Sequence, residues 1–184
     1  MSLTLVAAVG LNDIIGDGGR LPWYLPEDLR QFKMMTTGSV VLLGRVTYGS
    51  ILERLGGPLP DRDTVVLTRQ PESITAAPHV QTATSVSEAL SIAQATRGRT
   101  SKGLVFVAGG ASLYRQLLPY VVDVRLTAVE ASPEGDARMP TGWRAAFAWQ
   151  HSSEVLRSRE GGQEFRYEYY RRCARVGPAV QLRE

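Results

Sequence analysis

The sequence contains very little cysteine and histidine. Its 184 residues include one cysteine, Cys173, and two histidines, His79 and His151. One cysteine cannot form a disulfide within the chain, and two histidines far apart in sequence provide no cluster of metal ligands. The composition therefore predicts no metal site, and it favours a reducing compartment such as the cytoplasm.

Long hydrophobic runs are also missing. No apolar run approaches the roughly 20 residues of a membrane-spanning helix, and no basic segment precedes the apolar stretch that starts at Leu3. We therefore expect a first β-strand there, not a signal peptide, and no membrane partner.

The formal net charge is only +3, and the 19 arginines, against 2 lysines, form no run. A nucleic-acid partner is therefore not expected, whereas single arginines beside loops suit bidentate contacts with phosphate or carboxylate.

The remaining composition is ordinary for one globular domain. Hydrophobic residues make up 43% of the chain and charged residues 21%, and this length can bury a core and still leave one cleft. We expect a single domain over residues 1–175, a frayed tail over residues 176–184, and a monomer.

Short apolar runs alternate with helical segments along the chain. The predicted strands are Leu3–Val9, Val40–Leu43, Val65–Leu67, Leu104–Val107, Val121–Val129 and Glu164–Tyr170. The predicted helices are Pro26–Met35, Glu88–Thr96 and Ala111–Leu118. This alternation predicts an α/β fold with a mostly parallel sheet. The last strand alternates in polarity and follows a strand-like segment, Trp149–Leu156, so the sheet should end in an antiparallel hairpin.

Two glycine-containing turns lead from an apolar strand into a helix, at Gly44–Thr47 and at Gly109–Leu113. Unpaired N–H groups at a helix start, and glycines that allow close approach, suit a phosphate. Each turn taken alone is more often only a tight strand-to-helix connection, because glycine-rich turns are common in α/β folds. A third segment, Leu67-Thr68-Arg69, places a basic side chain at the end of another apolar run, and parallel sheets have their ligand-binding residues at such strand ends. Together the three points indicate an extended dinucleotide with a third phosphate.

A glycine-rich loop, Gly16–Tyr24, precedes the first helix, whose first turn contains Glu27 and Asp28. Stabilisation of the helix dipole alone would explain both acids. If Asp28 points inward, however, Phe32 lies on the same helix face one turn later. One carboxylate against an aromatic wall suits a flat heterocycle that donates two N–H groups.

Six sequence blocks, in order along residues 3–172, resemble the dihydrofolate reductase family. They are Leu21-Pro22-Trp23-x-Leu25-Pro26-x-Asp28-Leu29-x-x-Phe32, Gly44-Arg45-x-Thr47-Tyr48-x-Ser50-Ile51, Pro58-Leu59-Pro60-x-Arg62, Val66-Leu67-Thr68-Arg69, Gly109-Gly110-x-x-x-Tyr114 and Leu126-Thr127. The resemblance implies an eight-stranded sheet, with seven parallel strands and an antiparallel C-terminal strand, between flanking helices. It also implies reduction of 7,8-dihydrofolate to tetrahydrofolate by NADPH, which supplies one-carbon metabolism. Hydride would pass from nicotinamide C4 to pterin C6, and a proton would reach N5.

The resemblance implies that Asp28 binds the pterin ring. Its carboxylate would contact N3 and the 2-amino group of the pterin, and Thr127 would support this contact. Burial should raise the pKa of this carboxyl group, and solvent water would protonate N5 because no acid is expected beside it. Leu21 and Trp23 belong to the loop that would close over the site. Arg62 would hold the α-carboxylate of the glutamate tail. The implied substrate-binding residues are Val6, Ala8, Asp28, Leu29, Phe32, Ser50, Ile51, Leu59, Arg62, Ala108, Tyr114 and Thr127.

The resemblance assigns the pyrophosphate of NADPH to the two glycine turns and the 2′-phosphate to Arg45, Thr68 and Arg69. The bond between Gly109 and Gly110 should be cis. The implied cofactor-binding residues are Ala8, Ile15, Gly16, Gly44, Arg45, Val46, Thr47, Leu67, Thr68, Arg69, Gly109, Gly110, Ala111, Ser112, Leu113 and Tyr114.

The sequence departs from the family pattern in places. Ala108 stands where a larger aliphatic residue is usual, so we expect a wider pocket, and antifolates such as methotrexate or trimethoprim are expected ligands of it. No arginine directly precedes Pro58, which leaves open whether a second arginine, such as Arg54, binds the tail.

Two alternative functions also stay open. One is a riboflavin-pathway pyrimidine reductase or a pterin reductase on the same fold, and the other is a non-catalytic nucleotide-binding module.

Overall fold

The computed structural model describes residues 1–173, so the predicted tail over residues 176–184 lies outside the described part of the chain. Short 3₁₀ turns occur at Pro71–Ser73, Leu118–Tyr120 and Trp143–Ala146. The main elements, in chain order, are β1 (Leu3–Gly10), β2 (Ile14–Gly16), α1 (Pro26–Thr36), β3 (Val40–Gly44), α2 (Arg45–Leu55), β4 (Asp63–Leu67), β5 (Val80–Ala83), α3 (Val86–Arg97), β6 (Val105–Val107), α4 (Ala111–Leu117), β7 (Val121–Val129), β8 (Ala137–Arg138), β9 (Phe147–Ser152), β10 (Leu156–Arg157) and β11 (Glu164–Arg172).

One large sheet organises the molecule, with the strand order β10-β11-β7-β1-β6-β3-β4-β5. The six strands from β7 to β5 are parallel to one another, and β11 runs antiparallel to β7. Both β9 and β10 pair antiparallel with the outer side of β11. Counted as one interrupted strand, they complete the predicted eight-stranded, mostly parallel sheet with an antiparallel C-terminal strand, so this prediction is confirmed.

The predicted strand Trp149–Leu156 is interrupted after Ser152. At the break the backbone N–H of Tyr167 donates to the hydroxyl of Ser153 (3.0 Å), where a regular ladder would use a backbone carbonyl. The prediction also missed β2, β5 and β8, which have only two to four residues. Segments this short do not show a recognisable hydrophobic period.

The sheet is covered on both faces, which is why its central strands are apolar throughout. On one face Val41 and Leu43 of β3 pack with Tyr48 of α2 and with Phe32 of α1. On the other face the intervening residues of β3 pack in a larger cluster that includes apolar residues of α3 and α4. None of the helices in residues 1–173 combines the length and the hydrophobicity that a membrane span requires.

Helix α1, which carries Asp28, is fixed at both ends by distant residues. At its first turn the Glu27 carboxylate accepts hydrogen bonds from the Ser158 hydroxyl (2.9 Å) and the Arg159 backbone N–H (3.1 Å). At its last turn Lys102 Nζ donates to the carbonyl oxygens of Met34 and Met35. Glu27 therefore has a tertiary partner, which the helix-dipole explanation did not anticipate.

Candidate active site

The two predicted glycine turns lie side by side. Because β3 and β6 are parallel and adjacent, with Leu42 opposite Val107, their carboxyl ends lie at the same edge of the sheet. The backbone N–H of Gly44 donates to the carbonyl of Gly109 (2.7 Å), and the peptide bond between Gly109 and Gly110 is cis. A Cβ atom at position 110 would lie only 3.1 Å from Thr47 Oγ1. The glycines therefore leave room at this edge that larger side chains would fill.

Basic side chains surround this edge. Strand β4 pairs with β3, which places Thr68 and Arg69 next to the turn that begins α2. Within residues 1–173, neither Arg45 nor Arg69 forms an ion pair with a carboxylate, and both line the cleft. The Thr68 hydroxyl accepts a hydrogen bond from the N–H of Gln70 and also lines the cleft. Two arginines without an acidic partner suit a dianionic phosphate.

A single carboxylate lies deeper in the same cleft. Thr127 of β7 is paired in register with Ala8 of β1, and its hydroxyl donates to Asp28 Oδ1 at 2.5 Å. Burial raises the pKa of Asp28, because an ionised carboxylate loses hydration there, and the hydrogen bond from Thr127 partly opposes this effect. The raised pKa agrees with the sequence-based prediction. The second carboxylate oxygen, Oδ2, accepts no hydrogen bond from the described residues, so it can bind a ligand.

Apolar and aromatic side chains form the walls around Asp28. Phe32 and Ile51 face the cleft from α1 and α2, and Val6 faces it from β1. The hydroxyl of Tyr114 donates to the Val6 carbonyl (2.6 Å), and burial raises the pKa of this tyrosine. The indole Nε1 of Trp23 is buried without a hydrogen-bond partner among the described residues. An unpaired donor in a cleft wall suits a polar ligand or a bridging water.

Arg62 is only 5% exposed, yet it also lines the cleft. Its guanidinium donates to Thr36 Oγ1 (3.1 Å), the Pro60 carbonyl (2.6 Å) and the Lys33 carbonyl (3.4 Å). Burial lowers the pKa of Arg62, and the nearby charge of Asp61 partly reverses that effect. Since these three acceptors are neutral, the guanidinium keeps its full charge for an anion.

These features belong to one cleft of about 1550 Å³. A single drug-sized ligand needs about 300–1,000 Å³, so there is room for a dinucleotide and a second molecule. Every residue that the sequence predicted for substrate, cofactor or loop closure lines this cleft, and their individual roles stay predictions. The cleft is also lined by Arg54, which the sequence left open as a second tail-binding arginine, and by residues to which the sequence assigned no individual contact: Ala7, Gly19, Arg20, Tyr24, Lys33, Met35, Glu53, Leu55, Pro60, Thr84, Gln116, Arg125, Asp136 and Ala137.

The arrangement defines a class of protein. A parallel sheet with two glycine turns and unpaired arginines at one edge, next to an apolar pocket with one carboxylate, is an enzyme site for a phosphorylated dinucleotide and a flat second ligand. The family model for dihydrofolate reductase matches residues 2–172. The chain therefore belongs to the dihydrofolate reductase family.

Individual relatives agree with this family. The chain is 39% identical to dihydrofolate reductase HdrB of Haloferax volcanii over 168 residues, which cover 91% of this chain and 82% of the relative. It is 36% identical to dihydrofolate reductase of Neisseria meningitidis serogroup A over 150 residues, 79% of this chain and 86% of the relative. A solved dihydrofolate reductase from Enterococcus faecalis, complexed with NADP(H) and RAB-propyl, superposes with a TM-score of 0.78 at 30% identity and covers 94% of this chain and 97% of that one.

Proposed function

We propose that this chain reduces 7,8-dihydrofolate to 5,6,7,8-tetrahydrofolate with NADPH and so supplies one-carbon metabolism. The observation that carries the proposal is the hydrogen-bonded pair of Asp28 and Thr127, which lies in the same cleft as the two glycine turns. The cleft thus has one end for phosphates and another for a heterocycle that donates N–H groups.

The residues present fit NADPH. Gly44 and Gly110 precede α2 and α4, and neither helix start has a side-chain cap, so backbone N–H groups there can bind the pyrophosphate. Arg45 and Arg69, together with Thr68, would hold the 2′-phosphate. Bound NADPH supplies the hydride that reduces pterin C6.

The pterin would be bound and oriented by Asp28. The ionised carboxylate accepts hydrogen bonds from N3 and the 2-amino group, while the Thr127 hydroxyl fixes the carboxylate rotamer. Phe32 and Ile51 would hold the ring system in position between α1 and α2. Closure of the loop with Leu21 and Trp23 would exclude bulk water during the reaction.

A water molecule is the proposed donor of the proton to N5. Three acids line the cleft, and two of them are engaged at its edge: Glu53 pairs with Arg20, and Asp136 accepts the N–H of Gly18. The third, Asp28, would be occupied with N3 and the 2-amino group. The pterin ring would thus receive its proton from solvent admitted before the loop closes.

Replacement of Arg62 by lysine tests the proposed tail contact. We expect the KM for dihydrofolate to rise about tenfold to a hundredfold, because lysine keeps the charge but cannot make a bidentate contact with the α-carboxylate. A 7,8-dihydropterin without the glutamate tail should show the same kinetics with both proteins. An equal loss with both substrates would instead indicate damage to the structure that Arg62 supports.

The direct test of the activity is dihydrofolate-dependent loss of NADPH absorbance, measured beside NADH. We expect rapid turnover with NADPH and poor turnover with NADH. Folded protein that binds NADPH but does not turn over dihydrofolate would contradict the proposal. The alternative functions, a pyrimidine or pterin reductase or a non-catalytic module, would then be the better hypotheses. The intact pair of Asp28 and Thr127 favours none of them.

Antifolates such as methotrexate or trimethoprim are proposed as ligands of the same pocket, since a diaminopyrimidine or diaminopteridine group can donate to Asp28. The wider pocket expected at Ala108, a cytoplasmic location and a monomeric state also stay predictions. The assignment to a reducing compartment is supported by the low cysteine content.

A further inference from the structure

The glycine-rich loop forms a tight turn at its tip. Asp17 and Arg20 exchange two backbone hydrogen bonds of 2.9 Å each. Gly18 and Gly19 between them have positive φ values of +54° and +81°, a conformation that side-chain-bearing residues rarely adopt. This turn directs the side chain of Arg20 toward α2, where Nη2 donates to Glu53 Oε1 at 2.9 Å.

Two further contacts join the loop to α2. The guanidinium carbon of Arg54 lies 5.6 Å from the ring centroid of Tyr24, within cation–π range. Near the start of the helix, Gly19 lies so close to Val46 that a Cβ atom would be 3.2 Å from the valine Cγ1. The loop therefore contacts α2 near the beginning of the helix and again near its end.

The ion pair lies away from the phosphate-binding end of α2. Gly44 immediately precedes the helix, whereas Glu53 is eight residues beyond Arg45, about 12 Å along the helix axis. Both Arg20 and Glu53 line the cleft, and the chain segment that follows α2 leads to Arg62, the proposed tail site. The pair thus bridges the cleft toward the half that would hold the substrate.

We propose that Arg20 and Glu53 form a latch that holds the loop closed over the aminobenzoyl part of the folate ligand. This inference rests on the proposed function. With the latch formed, the folate ligand cannot leave between the loop and α2, so the ion pair must open for substrate entry and product release. Both side chains are largely exposed, at 74% and 65%, so the latch is weak enough to open in each catalytic cycle.

The test is the dissociation rate of tetrahydrofolate from its complex with the enzyme, measured by stopped-flow chase with an excess of competing ligand. Glu53→Gln and Arg20→Gln should each raise this rate about two- to fivefold, the range for an exposed ion pair. The double variant should not exceed the single ones, because either change removes the same interaction. The charge swap Arg20→Glu with Glu53→Arg should restore a slower rate. Glu72→Gln, an exposed acid outside the cleft, is the matched control.

Salt provides an independent measurement. Raising NaCl to about 0.5 M should accelerate tetrahydrofolate release more strongly from the parent protein than from Glu53→Gln, because screening weakens the ion pair of Arg20 and Glu53 in the parent alone, whereas it weakens the proposed contact of Arg62 with the tail in both proteins. NADPH dissociation should change little in every variant. If tetrahydrofolate binds but leaves the parent and both variants at equal rates and with equal salt dependence, the latch is wrong while the proposed function stands. If tetrahydrofolate does not bind the parent at all, the proposed function itself fails.

Discussion

Replacing Asp28 by asparagine is expected to lower kcat/KM for dihydrofolate by about 30-fold to several-thousand-fold. Removing one partner of a buried, charged hydrogen-bond pair costs about 2–5 kcal/mol, and each 1.36 kcal/mol is a factor of ten in rate. The amide also turns one acceptor into a donor that faces the N–H groups of the pterin. Steady-state kinetics at saturating NADPH measure the effect.

Asp123→Asn is the matched control for this prediction. Asp123 lies on the same strand as Thr127, but its carboxylate accepts a hydrogen bond from the Tyr169 hydroxyl, outside the cleft. We expect its kcat/KM to stay within about twofold of the parent value. Comparable activity of Asp28→Asn and Asp123→Asn would show that the carboxylate in the cleft does not bind the substrate.

The same substitution of Asp28 should leave the ligand-free protein as stable as the parent at neutral pH, or more so. The pKa of Asp28 is raised by burial, so the folded state holds its proton more tightly than the unfolded state does. The stability contributed by this residue is therefore lost as the pH rises from about 3.8, its ordinary value, through the folded-state pKa. Asparagine does not ionise and avoids that loss.

Thermal unfolding at two pH values tests this sign. The Tm of Asp28→Asn minus that of the parent should be larger at pH 7 than at pH 4, because the raised pKa of Asp28 makes the penalty for its ionisation smaller at the lower pH. Addition of a tightly bound antifolate should make the parent the protein with the higher Tm at pH 7. The ligand stabilises the parent more strongly, because only the parent has the Asp28 carboxylate, whose lost hydration the hydrogen bonds from the ligand offset. A variant that is less stable at pH 7 than at pH 4, relative to the parent, would contradict the prediction.

The double variant Arg45→Gln with Arg69→Gln should raise the KM for NADPH by about a hundredfold or more. Hydrogen bonds to charged groups contribute about 1.5–3 kcal/mol each, and both arginines are proposed to contact the 2′-phosphate. The KM for NADH, which lacks that phosphate, should change no more than about threefold. The measurement is the ratio of kcat/KM for the two cofactors.

A control with the same loss of charge is Arg30→Gln with Arg99→Gln. Both of these arginines are exposed and lie outside the cleft. This control should keep the NADPH preference of the parent, since only the general electrostatic attraction changes. If the double variant of Arg45 and Arg69 lowers kcat/KM for NADPH and for NADH by the same factor, these two arginines do not bind the 2′-phosphate.

The elements that are proposed to bind phosphate were predictable because their signals are local. The apolar strand, the glycine turn and the helix start that form around Gly44 are contiguous in sequence, and parallel strands bring such turns to one edge. The pair of Asp28 and Thr127 was harder, since 99 positions separate the two residues. Only the family resemblance joined them before the structure was known.

Other parts of the site had no local signal. Arg20 and Glu53 are ordinary charged residues 33 positions apart, and no periodic pattern distinguishes them from solvated surface charges. The partners of Arg62 include two backbone carbonyls, which sequence patterns do not reveal. Contacts of this kind depend on the path of loops in three dimensions, whereas the hydrophobic period reports only helices and strands.

The position of β11 has a consequence for the order in which the site forms during synthesis. The strands and helices that carry the glycine turns, Arg45 and Arg69 all lie within the first 117 residues. Thr127, by contrast, lies on β7, which is flanked by β11, and the first turn of α1 is bound by residues 158 and 159. The residues of the proposed nucleotide end have therefore all been synthesised before Thr127, whereas the complete framework of the proposed pterin end requires that residues near 172 have left the ribosome.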